Sequence, residues 1–228
     1  MNLDIPLKTP GGRTVETIGI WMSGGADSSM LCYLLAKKIK EENLPIRIKP
    51  FTVQKKHGIF EFFKVIDKIK ELLDAEHIFT EDIVYTAPVE GWRREDYKAI
   101  YAVKNRENIL KGEFQILFSG ITTNPPKTVQ ENFKWGVLED CENIRAEGKE
   151  KEKVKYFTET YQSVEYEFFE IKPFFDINKK QVADLYKENN LLEELFPLTR
   201  SCESAYMDTG HCGECWWCEE RKWAFDKL

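Results

Sequence analysis

The stretch Ser23-Gly24-Gly25-Ala26-Asp27-Ser28-Ser29 lies between a mostly apolar run at residues 18–22 and a helix-like run at residues 30–35. This order predicts a glycine-rich turn that joins a strand to a helix. At such a junction, unpaired backbone N–H groups and the helix dipole favour an anion, and a phosphate is the expected ligand. The alternative is an ordinary turn in which Asp27 or Ser28 only caps the helix.

The residue types of this stretch suit a magnesium nucleotide. The two glycines let the backbone approach a phosphate closely, and the serine hydroxyls add hydrogen-bond donors. Asp27 supplies the carboxylate that a phosphate-bound Mg²⁺ needs. We predict catalytic roles for Ser23, Asp27 and Ser28. The predicted nucleotide contacts in this stretch are Ser23, Gly24, Gly25, Asp27, Ser28 and Ser29.

The glycine spacing differs from that of the Walker loop, which ends in Gly-Lys-Ser/Thr. The stretch resembles the PP-loop, Ser-Gly-Gly-x-Asp-Ser, of the ATP pyrophosphatases. This resemblance implies that the loop holds pyrophosphate while an oxygen or nitrogen centre of the substrate is adenylated. It also implies that the products are AMP and pyrophosphate.

The bulk composition agrees with one soluble enzyme domain. A chain of 228 residues can bury a single sizeable core, and we divide it into an ATP-binding α/β core at 15–195 and a zinc-binding region at 196–228. The net charge of −6 makes nucleic acid a less favoured substrate without excluding it. No apolar run is long enough to span a membrane, and no signal peptide is recognisable. We therefore expect the protein to stay in the reducing cytoplasm.

Strand-like and helix-like segments alternate along the chain. Strands are predicted at residues 18–22, 46–53, 77–85, 114–118 and 164–171, and helices at 30–35, 59–73, 94–110 and 179–188. This alternation favours a doubly wound parallel sheet with its ligand site at the carboxyl ends of the strands. Thr52, Val53 and Gly120 lie at such ends and are predicted nucleotide contacts.

Eleven of the seventeen residues at 139–155 are charged. This pattern is typical of a solvated helix or mobile loop, which is the interpretation we favour. The alternative is a lid that orders over bound nucleotide.

Four of the six cysteines, Cys202, Cys212, Cys215 and Cys218, lie within seventeen residues. Two consecutive two-residue gaps let three sulfurs converge, and a longer loop returns the fourth. Zn²⁺ held by four thiolates is the favoured occupant, and a site with four protein ligands is structural. An iron–sulfur cluster is an alternative, as are disulfides in a secreted protein. His211 is a less favoured ligand.

The other two cysteines have no Cys or His partner at ligand spacing. Cys32 is expected to pack in a helix core, and Cys141 to be a bystander in the charged segment.

The cysteine tail and the loop together resemble the 7-cyano-7-deazaguanine synthases of queuosine-type biosynthesis. Residues 199–202 and 211–225 are similar to the family's Ser-Cys and Cys-Gly-x-Cys-x-x-Cys-x-x-Arg-x-x-Ala-Phe ending. Lys172-Pro173-Phe174 with Lys179 is similar to the entry to its late helix, and Gln54 with His57 to its Gln-Arg-His. Where the family has a Tyr-Pro-Asp-Cys-Arg-like run, residues 120–127 read Gly-Ile-Thr-Thr-Asn-Pro-Pro-Lys.

The resemblance implies an ATP-dependent ligase that converts 7-carboxy-7-deazaguanine and ammonia to the nitrile, or stops at the amide. Two ATP-using alternatives are a ligase that joins a deazaguanine-like acid to another amine or a macromolecule, and an RNA-modifying PP-loop enzyme such as a tRNA thiolase or lysidine synthetase. A third is a non-catalytic nucleotide-binding subunit. A homodimer is one possible assembly.

Further residues are candidates with a structural alternative. Thr122 and Asn124 are expected near ribose or acceptor, unless Asn124 with the following prolines forms only a rigid turn. Trp216 and Trp217 are aromatic groups that could stack on a purine or only pack. The basic candidates for phosphate charge, each with a solvated surface role as the alternative, are Lys127, Lys134, Arg93 and Arg94.

Overall fold

The computed structural model describes residues 1, 3–54, 59–86, 94–137, 152–202 and 210–228. These residues form a six-stranded sheet in the order β3-β2-β1-β4-β6-β5. Five strands are parallel, and β5 pairs with β6 in the antiparallel sense. The strands are β1 Thr17–Trp21, β2 Arg47–Gln54, β3 Ile83–Thr86, β4 Ile116–Phe118, β5 Val154–Tyr161 and β6 Val164–Ile171.

Helices cover both faces of this sheet, because parallel strands with buried faces require crossover helices. The helices are α1 Ala26–Glu41, α2 Ile59–Leu73, α3 Arg94–Leu110, the short α4 Lys127–Gln130, α5 Lys179–Glu188 and α6 Trp216–Phe225. Two single 3-10 turns lie at Glu76–Ile78 and Phe196–Leu198. No helix among the described residues is both long and apolar enough to span a membrane.

The prediction of a doubly wound, mostly parallel sheet is confirmed. The third predicted strand is shorter than expected, since residues 76–78 form a 3-10 turn and only Ile83–Thr86 is strand. The fourth is likewise trimmed to Ile116–Phe118.

Strand β5 was not predicted, and its first residues were assigned to the charged segment. Residues 139–151 of that segment lie outside the described residues, while Val154 and Lys155 belong to β5. The strand lies at the edge of the sheet and is mostly exposed, so it lacks the apolar alternation of a half-buried strand.

Two apolar clusters hold the layers together. The larger one unites β1 with α1, α2, α5 and α6, and it includes fully buried Ile18, Leu31 and Ile66. The smaller one contains Ile109 of α3, and in it the ring of Phe51 stacks on that of Phe114 with centroids 5.3 Å apart. Because β1 and β4 are neighbours in the sheet, the residues that follow them meet at one edge.

Candidate functional site

The glycine-rich loop connects β1 to α1, as predicted. Gly25 is the N-cap residue of α1 and has no side chain to cap the helix. The hydroxyls of Ser23 and Ser28 lie 3.2 Å apart, and the Gly25 amide donates to Ser23 Oγ at 3.2 Å. Ser29 is fully buried and donates its hydroxyl to the Gly25 carbonyl at 2.7 Å. These bonds shape a compact turn ahead of the positive end of a helix, which suits a phosphate.

Two glycines of the site are needed because other backbone lies against them. Gly24 has φ +73°, in the left-handed region, and a Cβ there would lie 3.0 Å from Glu61 Cβ. At Gly120, after β4, a Cβ would lie 3.0 Å from the Ser28 amide nitrogen. The predicted meeting of the β1 and β4 ends therefore takes place through direct backbone contact.

Asp27 forms a largely buried ion pair with Lys179 that links the loop to α5. Its Oδ2 accepts from Lys179 Nζ at 2.5 Å, and Lys179 Nζ also lies 3.6 Å from Glu220 Oε2 on α6. The Asp27 Oδ1 atom is buried and has no hydrogen-bond partner among the described residues. One carboxylate oxygen is thus held in place by Lys179 while the other is available, which fits a residue that holds phosphate-bound Mg²⁺.

A second buried charge pair lies behind the end of β4. Ser119 Oγ donates to Glu170 Oε1 at 2.5 Å, and Lys172 Nζ lies 3.6 Å from Glu170 Oε2. The pair neutralises charge at the point where β6 ends beside β4.

The cysteine tail contacts the loop directly. The Arg200 amide donates to the Gly24 carbonyl at 2.8 Å. The turn before Arg200 is fixed by the fully buried Arg221 of α6, which donates to Thr199 Oγ1 at 2.8 Å and to the Phe196 carbonyl at 3.1 Å. Burial lowers the pKa of Arg221 to about 10, so its guanidinium stays charged at neutral pH.

Four cysteine sulfurs converge in the tail, as the spacing predicted. The Sγ atoms of Cys202, Cys212, Cys215 and Cys218 all lie within 4.8 Å of one another. The Cys212 and Cys218 sulfurs are 3.9 Å apart, and those of Cys215 and Cys202 are 4.0 Å apart. Four sulfurs at tetrahedral Zn–S distances stand about 3.8 Å from one another. The group could therefore hold a metal ion with little rearrangement.

The environment of Cys212 favours a thiolate ligand. Burial opposes ionisation of its thiol, but hydrogen bonds from the Glu214 and Cys215 backbone outweigh that effect and lower its pKa to about 7. Deprotonated sulfur is the form that binds metal.

His211 lies beside the sulfur group but turns to the main chain. Its Nε2 accepts from the Ser201 amide at 3.2 Å. Burial, with the positive charges of Arg221 and Arg200, lowers the pKa of His211 to about 4, so the ring is neutral at pH 7.

Of the two remaining cysteines, the structure describes only Cys32. Cys32 is fully buried in α1, where burial raises the pKa of its thiol, and it packs in the core as predicted. Cys141 lies outside the described residues.

The other candidates fall into three groups. Thr52 and Val53 are buried near the end of β2, and Thr122 and Asn124 are buried in the segment that follows β4. Lys134 Nζ pairs with Glu214 of the tail at 2.7 Å, and Trp216 is buried against Phe133 with ring centroids 5.6 Å apart. His57 and Arg93 lie outside the described residues, as does the side chain of Arg94. The nucleotide-site assignments remain predictions.

Sequence reasoning missed Glu220 and Glu170, the buried carboxylates beside Lys179 and Lys172. No sequence signal marks an acidic residue as buried, because charged residues are usually exposed. Arg221 and Lys179 were quoted only as parts of family motifs, and those motifs were the signal that could have assigned them a role.

Comparison with protein families supports the assignment of the tail. Residues 148–228 match the family model of the queuosine biosynthesis protein QueC. This segment contains β5, β6, α5, α6 and all four clustered cysteines. The resemblance drawn from the sequence motifs is confirmed over this part of the chain. A search of curated proteins gives no match.

Three solved structures are similar to the chain at low identity. The U34-tRNA thiolase NcsA from Methanococcus maripaludis, solved with its 4Fe-4S cluster, is 15% identical over 96% of this chain and 65% of its own, with a TM-score of 0.48. The FMN adenylyltransferase from Candida glabrata, in complex with FMN and the ATP analogue AMPCPP, is 12% identical over 74% of this chain and 47% of its own, with a TM-score of 0.40. The NAD⁺ synthetase from Burkholderia pseudomallei is 11% identical over 94% of this chain and 75% of its own, with a TM-score of 0.39. At these values the likenesses give no information on the reaction of this chain.

Proposed function

We propose that this protein is an ATP-dependent, AMP-forming ligase that adenylates a carboxylate and aminates it, with 7-carboxy-7-deazaguanine as substrate and 7-cyano-7-deazaguanine as product. The observation that carries the proposal is the contact between two parts of the chain. The segment that matches QueC supplies Lys179 to Asp27 and Arg200 to Gly24 of the glycine-rich loop. These contacts support a single site in which ATP cleavage and recognition of a deazaguanine-type acceptor would take place together.

The chemistry begins at the carboxylate, which is a poor electrophile because its charge is delocalised. A carboxylate oxygen attacks the α-phosphorus of ATP, and pyrophosphate leaves with the electrons of the broken P–O bond. Ammonia then attacks the acyl carbon, AMP departs, and an amide remains after loss of a proton. A second ATP adenylates the amide oxygen, and the loss of AMP and two protons leaves the nitrile.

The residues of the loop would align and neutralise the phosphates in these steps. Ser23 and Ser28 offer hydroxyls, and the start of α1 offers backbone N–H groups and its positive dipole end. Asp27 would hold phosphate-bound Mg²⁺, which neutralises charge on the leaving pyrophosphate. Lys179 fixes the orientation of that carboxylate. The four cysteines would hold Zn²⁺ as a structural ion, since four protein ligands leave no open position for substrate.

A product assay tests the proposal. The protein is incubated with MgATP, ammonium and 7-carboxy-7-deazaguanine, and products are identified by mass spectrometry. We expect AMP, pyrophosphate and the nitrile or amide. The stoichiometric formation of ADP and phosphate would refute cleavage between the α and β phosphates. Formation of AMP without any aminated deazaguanine would refute 7-carboxy-7-deazaguanine as the acceptor but leave the AMP-forming chemistry standing.

One observation favours a second candidate, a ligase that uses another amine. Residues 120–127 depart from the family's Tyr-Pro-Asp-Cys-Arg-like run. The same assay with a panel of primary amines or a cell extract in place of ammonium separates the two. A covalent conjugate formed in preference to the nitrile supports this second candidate.

A further inference from the structure

We propose that Asn124 and Thr122 recognise the heterocyclic edge of the acceptor through hydrogen bonds. The recognised edge carries a ring N–H donor next to a carbonyl acceptor, as in a lactam. This inference rests on the proposed function, because it assigns a ligand group to that same site.

The first support is a set of buried polar atoms that lack partners. Both Oδ1 and Nδ2 of Asn124, and Oγ1 of Thr122, have no hydrogen-bond partner among the described residues. The two residues are only 8% and 2% exposed, respectively. A buried donor or acceptor left unpaired costs about 1–3 kcal/mol, so such a cluster is expected where a ligand completes the bonds.

The second support is that the backbone holds these side chains in place. The Thr123 amide donates to the Ile177 carbonyl at 2.9 Å, and Thr123 forms a parallel bridge with Asn178. Gln130 Nε2 donates to the Pro125 carbonyl at 2.8 Å. The bridge at Thr123 and the restriction that Pro125 places on Asn124 favour extended backbone here, in which side chains alternate, so we expect Thr122 and Asn124 to share the side opposite to Thr123. The polar atoms are therefore pre-organised.

The third support is the position of the pair relative to the loop. Gly120, two residues before Thr122, lies against the Ser28 backbone. Asn178, the bridge partner of Thr123, precedes Lys179, which reaches Asp27. The segment after Asn124 is held to the tail, where the Lys134 amide donates to the Glu219 carboxylate at 2.9 Å. Thr122 and Asn124 thus belong to a segment that contacts the glycine-rich loop at its start and the cysteine tail at its end.

The chemistry of a carboxamide then defines the ligand. Asn124 Oδ1 can accept from a ring N–H while Nδ2 donates to the adjacent carbonyl, as in the paired contacts of amide side chains with bases. The adenine of ATP offers a related donor and acceptor pair. We assign Asn124 to the acceptor because Thr52 and Val53, at the end of β2, are the residues predicted for adenine.

Substitutions that keep shape and remove polarity test this assignment. Asn124→Leu and Thr122→Val are compared with Asn132→Ala, an exposed asparagine nearby, and with Thr123→Val on the opposite side of the segment. Calorimetry gives the Kd of 7-carboxy-7-deazaguanine and, separately, of a non-hydrolysable ATP analogue. A thermal melt without ligand reports the fold.

We expect each site substitution to weaken acceptor binding by at least about tenfold, the equivalent of one lost hydrogen bond. Binding of the ATP analogue should stay within twofold, and both controls should bind like the wild type. The melting temperature of Asn124→Leu should equal or exceed that of the wild type, because an apolar group replaces unpaired polar atoms.

Three outcomes overturn the inference. Acceptor binding unchanged in both site variants contradicts it while leaving the proposed function intact. Loss of ATP-analogue binding in Asn124→Leu with acceptor binding retained assigns the pair to adenine instead. A wild-type protein that does not bind 7-carboxy-7-deazaguanine contradicts the proposed function, and the inference fails with it.

Discussion

The two oxygens of a single carboxylate, that of Asp27, have different surroundings in this protein. One of its oxygens is held by Lys179, and the other is buried with no partner among the described residues. This asymmetry separates the structural role of the side chain from its chemical role. Substitutions at Asp27 and at Lys179 should therefore give different results, although the two groups touch.

Asp27→Asn should abolish pyrophosphate release with little change in the fold. The amide keeps the size of the side chain and can still hydrogen-bond, but it is a poor ligand for Mg²⁺. We expect ATP–pyrophosphate exchange to fall on the order of 100-fold or more. Circular dichroism and the melting temperature provide the control for folding. Exchange activity near that of the wild type would mean that another residue holds the metal.

Lys179→Met should destabilise the fold, because it leaves the buried carboxylates of Asp27 and Glu220 without this cation. Breaking a buried pair in this way costs about 3–5 kcal/mol. Urea unfolding of the variant measures the loss. The double variant Lys179→Met/Glu220→Gln should recover part of it, because one of the two carboxylates is then neutral.

The matched control is Lys187→Met on the same helix. Lys187 is exposed and pairs only loosely with Asp184 at 3.3 Å, so its loss should change the free energy of unfolding by less than about 1 kcal/mol. Equal effects at the two lysines would argue against a special role for the buried pair.

At the scale of elements, the cysteine tail supports the phosphate loop. Arg221 of α6 fixes the turn at residues 196–201, and the Arg200 amide in that turn holds the Gly24 carbonyl. Cys218, one of the four clustered cysteines, lies in α6, three residues before Arg221. If these cysteines bind a metal, its loss should therefore loosen the loop, because Arg221 and the Arg200 amide connect α6 to Gly24 through hydrogen bonds.

Cys215→Ser should lose the bound metal and release the loop. Structural zinc contributes several kcal/mol of folding free energy, on the order of 10 in isolated peptides, so the tail should unfold locally. Elemental analysis should fall from one metal per chain to none. Hydrogen exchange at the Arg200 amide should accelerate, because its bond to Gly24 depends on the tail.

Cys32→Ala provides the control, since Cys32 lies in the core away from the sulfur group. It should keep the metal and the slow exchange at Arg200. If the Cys215→Ser protein lacks metal but the hydrogen-exchange rate of the Arg200 amide is unchanged, the loop does not depend on the metal site of the tail. If elemental analysis of the wild-type protein finds iron and sulfide, the four cysteines hold an iron–sulfur cluster and the zinc assignment is wrong.

The elements also show what the sequence could reveal. The junction of β1 and α1 was predictable because glycines, a strand pattern and a helix pattern agree over a few residues. The cysteine site was predictable because ligand spacing is local. Strand β5 was not predictable from the sequence, because an exposed edge strand carries charged residues just as a loop does. The ion pair between Lys179 and Asp27 was not predictable either, because it joins residues that lie 152 positions apart in the sequence.

At the scale of the whole molecule, the proposed ATP site and the four-cysteine group lie in regions that touch through the hydrogen bond from the Arg200 amide to the Gly24 carbonyl. Linkage requires that any effect of metal on ATP affinity be matched by an equal effect of ATP on metal affinity. The molecule should therefore behave as one cooperative unit although its two sites have separate chemistry.

A non-hydrolysable MgATP analogue should slow the release of zinc to a chromogenic chelator. Nucleotide that stabilises the loop also stabilises the Arg200 turn and, with it, the sulfur group. We expect slowing of about 5-fold or more, within the usual range of coupling between sites. The Asp27→Asn variant, which should bind the magnesium nucleotide poorly, should show less protection. Equal release rates with and without nucleotide in the wild type would show that the two sites are independent.

The bond between Asp27 and Lys179 also sets an order of events during synthesis. The ribosome makes Asp27 first and must add 152 more residues before Lys179 exists. At about 5–20 residues per second, this interval lasts roughly 8–30 s. A nascent chain therefore carries its phosphate loop for that time without the cation that orients the carboxylate. We therefore expect the oriented form of Asp27 to be absent from an unfinished chain that ends before Lys179.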